Sequence, residues 1–188
     1  MPPKRLVVGI SGSSGPHFGV ALLRTLREIG GLETHLVVSE AARITIRLEA
    51  GLDPADVLAL ADVVHEPGDL AASIASGSFR TEGMAIVPCS MRTLAAVALG
   101  YADNLLTRAA EVTLKERRRL VLVPRETPLS LAHLRNMLAA TEAGAVILPP
   151  VPAFYHQPET IEDLIAHTVG KVLDQFDIQH DLFRRWGE

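Results

Sequence analysis

Cysteine is almost absent from this chain of 188 residues, which contains only Cys89. A single thiol cannot form a disulfide within the chain, and such scarcity is typical of proteins from a reducing compartment. We therefore expect a cytoplasmic protein. The seven histidines and the lone cysteine show no metal-ligand spacing such as His-x-x-x-His, so we predict no metal site.

Long apolar runs and an excess of positive charge are also missing. The first apolar stretch covers only residues 6–10, which is too short for a signal-peptide core or a membrane span. The net charge of -4 argues against nucleic acid as the main partner. Aromatic residues make up 4% of the chain and hydrophobic residues 48%, so the core must be mainly aliphatic.

Short apolar runs alternate with amphipathic segments along the chain. Helical spacing predicts helices at residues 18–29 and 161–176, and Thr160 with Asp163 forms a capping box before the second. We interpret Thr127 and Pro128 as the N-cap and first residue of a helix that includes residues 130–143. We predict strands at residues 6–10, 35–38, 63–65, 84–88, 120–124 and 146–148. Most of them are continuous apolar runs, as expected when both faces of a sheet are covered.

This alternation predicts an α/β fold with a doubly wound, mostly parallel sheet of the Rossmann-like or flavodoxin-like kind. No linker or repeat interrupts the pattern, so we expect a single domain over residues 1–188. The tail at residues 177–188 is polar but carries Phe183 and Trp186. We predict that this tail docks on a neighbouring subunit.

A charged pair follows the strand predicted at residues 120–124, in the sequence Pro124-Arg125-Glu126-Thr127-Pro128. Charges are costly to bury unless they are paired or used, and ligands bind at the carboxyl ends of parallel strands. We therefore predict that Arg125 and Glu126 form an anion clamp beside an acid or base. The alternative is a salt-bridged pair in a surface loop.

Other predicted strands also end in small hydroxyl residues. Residues 9–15 read Gly-Ile-Ser-Gly-Ser-Ser-Gly, where a helix N-terminus offers N–H groups to a phosphate. The glycines lie three apart and do not match Gly-x-Gly-x-x-Gly, so a mononucleotide is favoured over a dinucleotide. A tight turn that binds nothing is the alternative. Ser39 and residues 90–93 follow two further strands, although Ser39 alone is more typical of a helix cap.

Several single residues remain open to two interpretations. Arg108 and Lys115 lie seven apart on one helix face, which makes them candidates for binding a phosphate. Glu49 alone indicates a solvated helix charge, and Cys89 a packing residue rather than a nucleophile. Tyr155, within Phe154-Tyr155-His156, either donates a hydrogen bond to an anion or belongs to a hydrophobic lid.

These pieces, in this order, resemble the UbiX-like flavin prenyltransferases. The Pro-Arg-Glu-Thr-Pro and Phe-Tyr-His sequences are the most specific parts of the resemblance, which covers nearly the whole chain. The matching stretches are residues 9–15, 38–42, 77–84, 88–94, 102–110, 114–118, 122–129, 133–137, 144–150 and 152–156.

The resemblance implies a metal-independent transferase that acts on FMN. Reduced FMN would accept a dimethylallyl group from dimethylallyl monophosphate, or from the pyrophosphate in some relatives, at N5 and C6. The prenylated FMN would then serve a UbiD-type decarboxylase, often in ubiquinone synthesis. The resemblance also implies a homododecamer with its sites at subunit interfaces.

The resemblance further assigns a role to individual residues. Ser14, Glu49 and Glu126 match catalytic positions, with Glu126 as the acid/base beside the phosphate. The FMN contacts match Gly12, Ser13, Ser14, Ser39, Ser90, Met91, Arg92, Thr93 and Arg125. The dimethylallyl phosphate contacts match Arg108, Lys115, Tyr155, Lys171 and Trp186, the last lying near the prenyl group.

Two other functions remain as alternatives. A flavoprotein decarboxylase of the cysteine type would oxidise a thiol and would not need the phosphate-binding residues. A non-catalytic FMN carrier would bind the flavin tightly but would leave Glu126 without a role.

Overall fold

The computed structural model describes residues 4–187. Its centre is one six-stranded sheet with the order β3-β2-β1-β4-β5-β6. All neighbouring strands run parallel, which confirms the predicted doubly wound α/β fold. The strands are β1 (Lys4–Ile10), β2 (Leu32–Val38), β3 (Val63–His65), β4 (Gly83–Cys89), β5 (Arg119–Pro124) and β6 (Ala145–Ile147).

Helices cover both faces of the sheet. They are α1 (Pro16–Ile29), α2 (Glu40–Ala50), α3 (Pro54–Leu58), α4 (Met91–Leu99), α5 (Leu105–Lys115), α6 (Leu131–Glu142) and α7 (Ile161–Asp174). The predicted helices at residues 18–29, 130–143 and 161–176 correspond to α1, α6 and α7. The helices among residues 4–187 are too short or too polar to cross a lipid bilayer.

The core has two aliphatic layers because successive strand residues point to opposite faces of the sheet. On one face, Val8 and Val87 pack against α1 and α7. On the other face, Val7 and Ile86 pack against α4 and α5. This two-sided burial explains why the strands are continuous apolar runs rather than alternating ones.

The start of α6 corrects one prediction. The N-cap is Ser130, whose hydroxyl accepts a hydrogen bond from His133 N at 3.2 Å, while His133 Nδ1 accepts from Ser130 N at 3.2 Å. Thr127 and Pro128 therefore precede the helix and neither caps nor opens it. The predicted capping box of Thr160 and Asp163 is present at α7.

Candidate functional site

The strand order places a crevice at one edge of the sheet. The chain moves from β1 to β2 on one side and later to β4 on the other, so the connections after β1 and β4 diverge. Such a switch point leaves an opening beyond the carboxyl ends of the strands. A cavity of about 870 Å³ lies at this edge, and it is lined by residues that follow β1, β2, β4 and β5.

The loop after β1 forms the floor of this cavity and is held by short hydrogen bonds. Ser11 Oγ donates to Pro88 O at 3.0 Å and accepts from Ser90 N at 2.7 Å. Ser13 Oγ donates to Arg125 O at 3.0 Å. These bonds tie the loop to the ends of β4 and β5, so contacts within the chain set the position of the floor.

Gly12 is required by a close approach between two elements. A Cβ atom at this position would lie 2.3 Å from Ala41 Cβ and 3.1 Å from the Ala41 carbonyl carbon. Real side chains do not pack this closely, so any other residue would push the loop away from the start of α2. The absence of a side chain at Gly12 thus lets the loop pack directly on the start of α2.

Two serines combine capping with a position in the cavity wall. Ser39 Oγ accepts from Ala42 N at 3.2 Å and caps α2, as predicted from its sequence context. Ser90 Oγ accepts from Thr93 N at 3.2 Å and caps α4. Both helices therefore begin at the cavity, where helix N-termini favour a bound anion.

Glu49 reaches the same loop from the far end of α2. Its Oε2 accepts hydrogen bonds from Ser14 Oγ at 3.0 Å and from Gly15 N at 2.8 Å. The interpretation of Glu49 as a purely solvated charge is therefore wrong. Its carboxylate is joined to Ser14, one of the residues that line the cavity.

Arg125 and Glu126 stand exposed at the rim of the cavity. Within the described residues they form no ion pair with each other, so the alternative of a salt-bridged surface pair is not what the structure shows. Glu126 Oε1 accepts a hydrogen bond from Thr127 N at 3.0 Å. Both residues thus lie at the opening, and neither side chain is paired with the other.

The structure brings together most of the residues that sequence reasoning selected. The members that line the cavity are Gly12, Ser13, Ser14, Ser39, Ser90, Met91, Arg92, Thr93, Arg125 and Glu126. Glu49 contacts their loop from behind. Their assignment to FMN or to catalysis stays a prediction.

Five other predicted site residues lie outside this cavity. Arg108 donates to Glu111 Oε2 at 2.7 Å and to Ala75 O at 3.2 Å, and Lys115 pairs with Glu116. Lys115 borders an adjacent groove of about 300 Å³. This groove and the main cavity share Ala96, Leu99, Tyr101 and Thr107.

Tyr155, Lys171 and Trp186 form a second cluster around α7. Tyr155 Oη and His167 Nε2 are 3.0 Å apart, and the Tyr155 and Trp186 rings are 5.7 Å apart. The described part of the tail packs on α7 of its own chain through Phe183, whose ring lies 4.6 Å from that of His167. Docking of the tail on a neighbouring subunit stays a prediction.

Sequence reasoning missed the outer wall of the cavity. This wall includes Pro67, Leu99, Tyr101, Asp103, Asn104 and Thr107. Asp103 accepts from Arg92 Nη2 at 3.2 Å, and Asn104 and Thr107 form the capping box of α5. The pattern Asn-x-x-Thr could have located this helix start, but nothing in it indicates a cavity.

Cys89 is fully buried, and burial raises the pKa of its thiol because the thiolate would be poorly solvated. It is therefore a packing residue rather than a nucleophile. Among residues 4–187, no three His, Cys, Asp or Glu side chains are grouped to hold a metal ion.

Comparison with known proteins gives consistent matches over almost the full chain. The profile of the Flavoprotein family matches residues 1–178. The chain is 60% identical over 185 residues to the flavin prenyltransferase UbiX of Escherichia coli strain K12. The matched region covers 97% of this chain and 98% of that protein.

Two solved structures superpose closely on the fold. The dodecameric FMN-dependent UbiX-like decarboxylase of Escherichia coli O157:H7 is 55% identical, with a TM-score of 0.95 over 98% of this chain and 100% of that chain. The protein AnUbiX (PadA1), in complex with FMN and dimethylallyl pyrophosphate, is also 55% identical, with a TM-score of 0.96 and 98% coverage of both chains.

Proposed function

Because the chain belongs to the UbiX-like flavin prenyltransferases of the Flavoprotein family, we propose that it joins a dimethylallyl group from dimethylallyl monophosphate to N5 and C6 of reduced FMN. The C–O bond of the donor breaks as a bond from its carbon to N5 forms, and inorganic phosphate leaves. The prenyl double bond then takes up a proton and bonds to C6, while N5 and C6 each give up the proton that they carried. The observation that carries this proposal is the cavity at the switch point, with Arg125 and Glu126 at its rim.

The residues of the cavity fit FMN. Gly12 packs the loop closely on the start of α2, and α2 and α4 begin with capped N-termini at the wall. Residues 12–14 and Ser39 would hold the phosphate and the ribityl chain, and residues 90–93 with Arg125 would hold the remaining flavin contacts. The relative bound to FMN at 55% identity supports this use of the cavity.

The leaving phosphate requires positive charge and a proton donor or acceptor. Cationic side chains lower the barrier where negative charge grows on the departing phosphate, and this effect is often the largest single contribution to catalysis. Arg108, Lys115, Lys171 and the Tyr155 hydroxyl would supply this environment. Glu126 would move the proton, and Ser14, oriented by Glu49 at 3.0 Å, would contact the phosphate.

We propose that neighbouring subunits complete the site. Arg108, Lys115, Tyr155, Lys171 and Trp186 do not line the cavity of their own subunit within the described residues. Apolar side chains that a subunit leaves exposed support an assembly, among them Leu131, Leu138 and Phe154, exposed by 62%, 59% and 73%. The dodecameric relative supports a homododecamer in which these surfaces meet.

The recipient of the product and the cellular location are also part of the proposal. A prenylated flavin is useful only to an enzyme that binds it, and we infer a UbiD-type decarboxylase as that recipient. A cytoplasmic location rests on the single cysteine of the chain. Adding the filtered product to the apo form of such a decarboxylase, and measuring carbon dioxide release, tests the recipient.

The two alternatives are not favoured. The relatives at 60% identity are flavin prenyltransferases, and a carrier or a cysteine-type decarboxylase would have no use for Glu126 beside a phosphate. We expect one phosphate released per flavin when the protein is mixed anaerobically with reduced FMN and dimethylallyl monophosphate. Phosphate should not appear with oxidised FMN. Release of neither phosphate from the monophosphate nor pyrophosphate from dimethylallyl pyrophosphate would contradict the proposal.

A further inference from the structure

The C-terminal tail folds back onto α7 and packs against this helix at Gly170. A Cβ atom at this position would lie 2.5 Å from Phe183 Cε1 and 2.6 Å from His180 Cε1. The tail rings therefore occupy the space that a side chain on the helix would fill. Because both rings pack directly on Gly170, their contact fixes where the returning chain meets α7.

Asp174, the last residue of α7, fastens this returning segment. Arg185 Nη2 donates to its Oδ1 at 2.7 Å, and Arg185 Nη1 donates to its Oδ2 at 3.2 Å. His180 Nε2 lies 3.1 Å from Oδ1, and the His180 side chain is only 2% exposed. A bidentate interaction between a guanidinium and a carboxylate fixes the relative orientation of the two groups as well as their distance.

The charge of this carboxylate is well stabilised. The hydrogen bond from Arg185 is the largest cause, and with the smaller contributions of His180 and Lys171 it lowers the pKa of Asp174 to about 2. Asp174 is therefore an anion throughout the neutral range and remains a permanent anchor for the tail.

The same carboxylate also contacts a predicted substrate residue. Lys171 Nζ donates to Asp174 Oδ2 at 3.4 Å, a longer bond than those from Arg185. Trp186 follows Arg185 directly, and its ring lies 5.7 Å from that of Tyr155. One carboxylate thus sets the positions of Lys171 and of the segment that carries Trp186.

We propose that Asp174 is a positioning residue for the prenyl phosphate site, an inference that rests on the proposed function. Asp174 does not touch the substrate. It holds Lys171 Nζ ready for the phosphate and holds Trp186 beside Tyr155, where the prenyl group would bind. The weaker Lys171 bond can be exchanged for the phosphate while the two Arg185 bonds keep the tail in place.

The proposal predicts a selective effect, because Asp174 and its partners do not line the flavin cavity. In Asp174→Asn, we expect the KM for dimethylallyl monophosphate to rise by about tenfold or more, as loss of a charge-assisted bond implies. The Kd for FMN should stay within about twofold. Asp174→Glu should restore part of the loss, and Glu162→Gln, on the exposed start of the same helix, should have no effect.

The single tryptophan of the chain, Trp186, supplies a readout that does not depend on activity. Its fluorescence anisotropy should fall in Asp174→Asn and in Arg185→Gln, because the released tail moves faster. Should Asp174→Asn not fold, Arg185→Gln carries the same test of KM and anisotropy.

The outcomes separate this proposal from the proposed function. Unchanged anisotropy together with an unchanged KM would overturn the role of Asp174. A parallel loss of FMN affinity, KM and thermal stability would also overturn it, since that pattern indicates general structural damage. Wild-type protein that releases no phosphate would refute the proposed function instead, and anisotropy would then decide whether Asp174 anchors the tail.

Discussion

Glu126 is the residue whose chemistry can be tested most directly. Its carboxylate stands at the cavity rim one position beyond Arg125, two residues after the end of β5. A glutamine at this position would keep the shape and the hydrogen bond from Thr127 N but could not transfer a proton. The role of Glu126 as acid/base therefore predicts loss of turnover without loss of flavin.

In Glu126→Gln we expect FMN to bind as in the wild type and prenylation to slow by about 10²- to 10⁴-fold, the usual contribution of general acid–base catalysis. Flavin titration and phosphate release measure the two effects separately. The matched control is Glu142→Gln, which removes an exposed carboxylate at the end of α6. Turnover close to that of the wild type would remove Glu126 from the mechanism.

At the scale of elements, the loop between β1 and α1 determines whether the cavity can hold a flavin. Its path is set by the contact of Gly12 with the start of α2, where a Cβ atom would meet Ala41 at 2.3 Å. In Gly12→Ala we expect the loop to shift, and overpacking of about 1–3 kcal/mol would weaken FMN binding by about 5- to 150-fold.

The control for this loop variant is Gly68→Ala, because a Cβ atom at Gly68 would meet nothing within 4 Å. Isothermal titration with FMN measures both variants, and circular dichroism shows whether they fold. If Gly12→Ala bound FMN as tightly as Gly68→Ala, the close approach would not be part of the binding site.

The elements also show how far the sequence alone could lead. Continuous apolar runs indicated most of the strands, because strands buried on both faces need apolar residues at every position. The edge strand β3 is only partly buried, and it includes His65. The charged pair after β5 was correctly predicted to lie at the carboxyl edge of the sheet, where the cavity is, since parallel strands end together. The beginning of α6 was misassigned to Thr127 because two cap-like patterns follow each other, and Ser130 forms the actual cap.

Contacts between distant segments could not be predicted from local patterns. Glu49 reaches Ser14 across 35 positions, and Asp174 binds Arg185 across a turn of the tail. These pairings depend on how helices pack on the sheet, which residue spacing does not encode. The resemblance selected Glu49 from its position in the family pattern, whereas the residues alone suggested a solvated charge.

For the whole molecule, the main consequence concerns how subunits share the site. The cavity of one subunit contains Glu126 but, among the described residues, is not lined by Lys171. Suppose that different subunits supply Glu126 and Lys171 to one site. When Glu126→Gln and Lys171→Gln chains are co-expressed in equal amounts and assemble at random, about one quarter of the sites would then contain both wild-type residues. Each variant alone should be inactive.

Phosphate release by the purified mixed oligomer therefore measures whether one site contains residues from different subunits. Recovery toward that fraction supports a site built from several subunits, with separately purified variants mixed after assembly as the control. Hybrids as inactive as either parent would indicate that both residues act from the same subunit.

The stability of the whole molecule should fall in mild acid because of two histidines. Burial lowers the pKa of His65, and His35 lowers it further while Asp69 opposes the shift. Burial also lowers the pKa of His167, with His156 and Lys171 adding to the effect and Asp174 opposing it. The folded state thus binds fewer protons than the unfolded state as pH falls below the ordinary value of 6.5.

Stability should therefore rise with pH up to about 6.5 and then level, with a slope of at most about 1.4 kcal/mol per pH unit for each histidine. Carboxylates with lowered pKa values, such as Asp174, contribute to the pH dependence of stability only at more acid pH. Urea unfolding at pH 5.5 and 7.5, at one protein concentration, measures the slope. His167→Gln should reduce it, whereas exposed His17→Gln should not. Equal stability at both pH values would contradict the account.

The central claim is that this chain prenylates FMN, and the mass of the flavin tests it most directly. The protein is incubated without oxygen with reduced FMN and dimethylallyl monophosphate, and the flavin is then extracted and analysed by mass spectrometry. The account predicts a flavin that is heavier by one five-carbon prenyl unit. Unmodified FMN after incubation with the monophosphate, and again with the pyrophosphate, would contradict it.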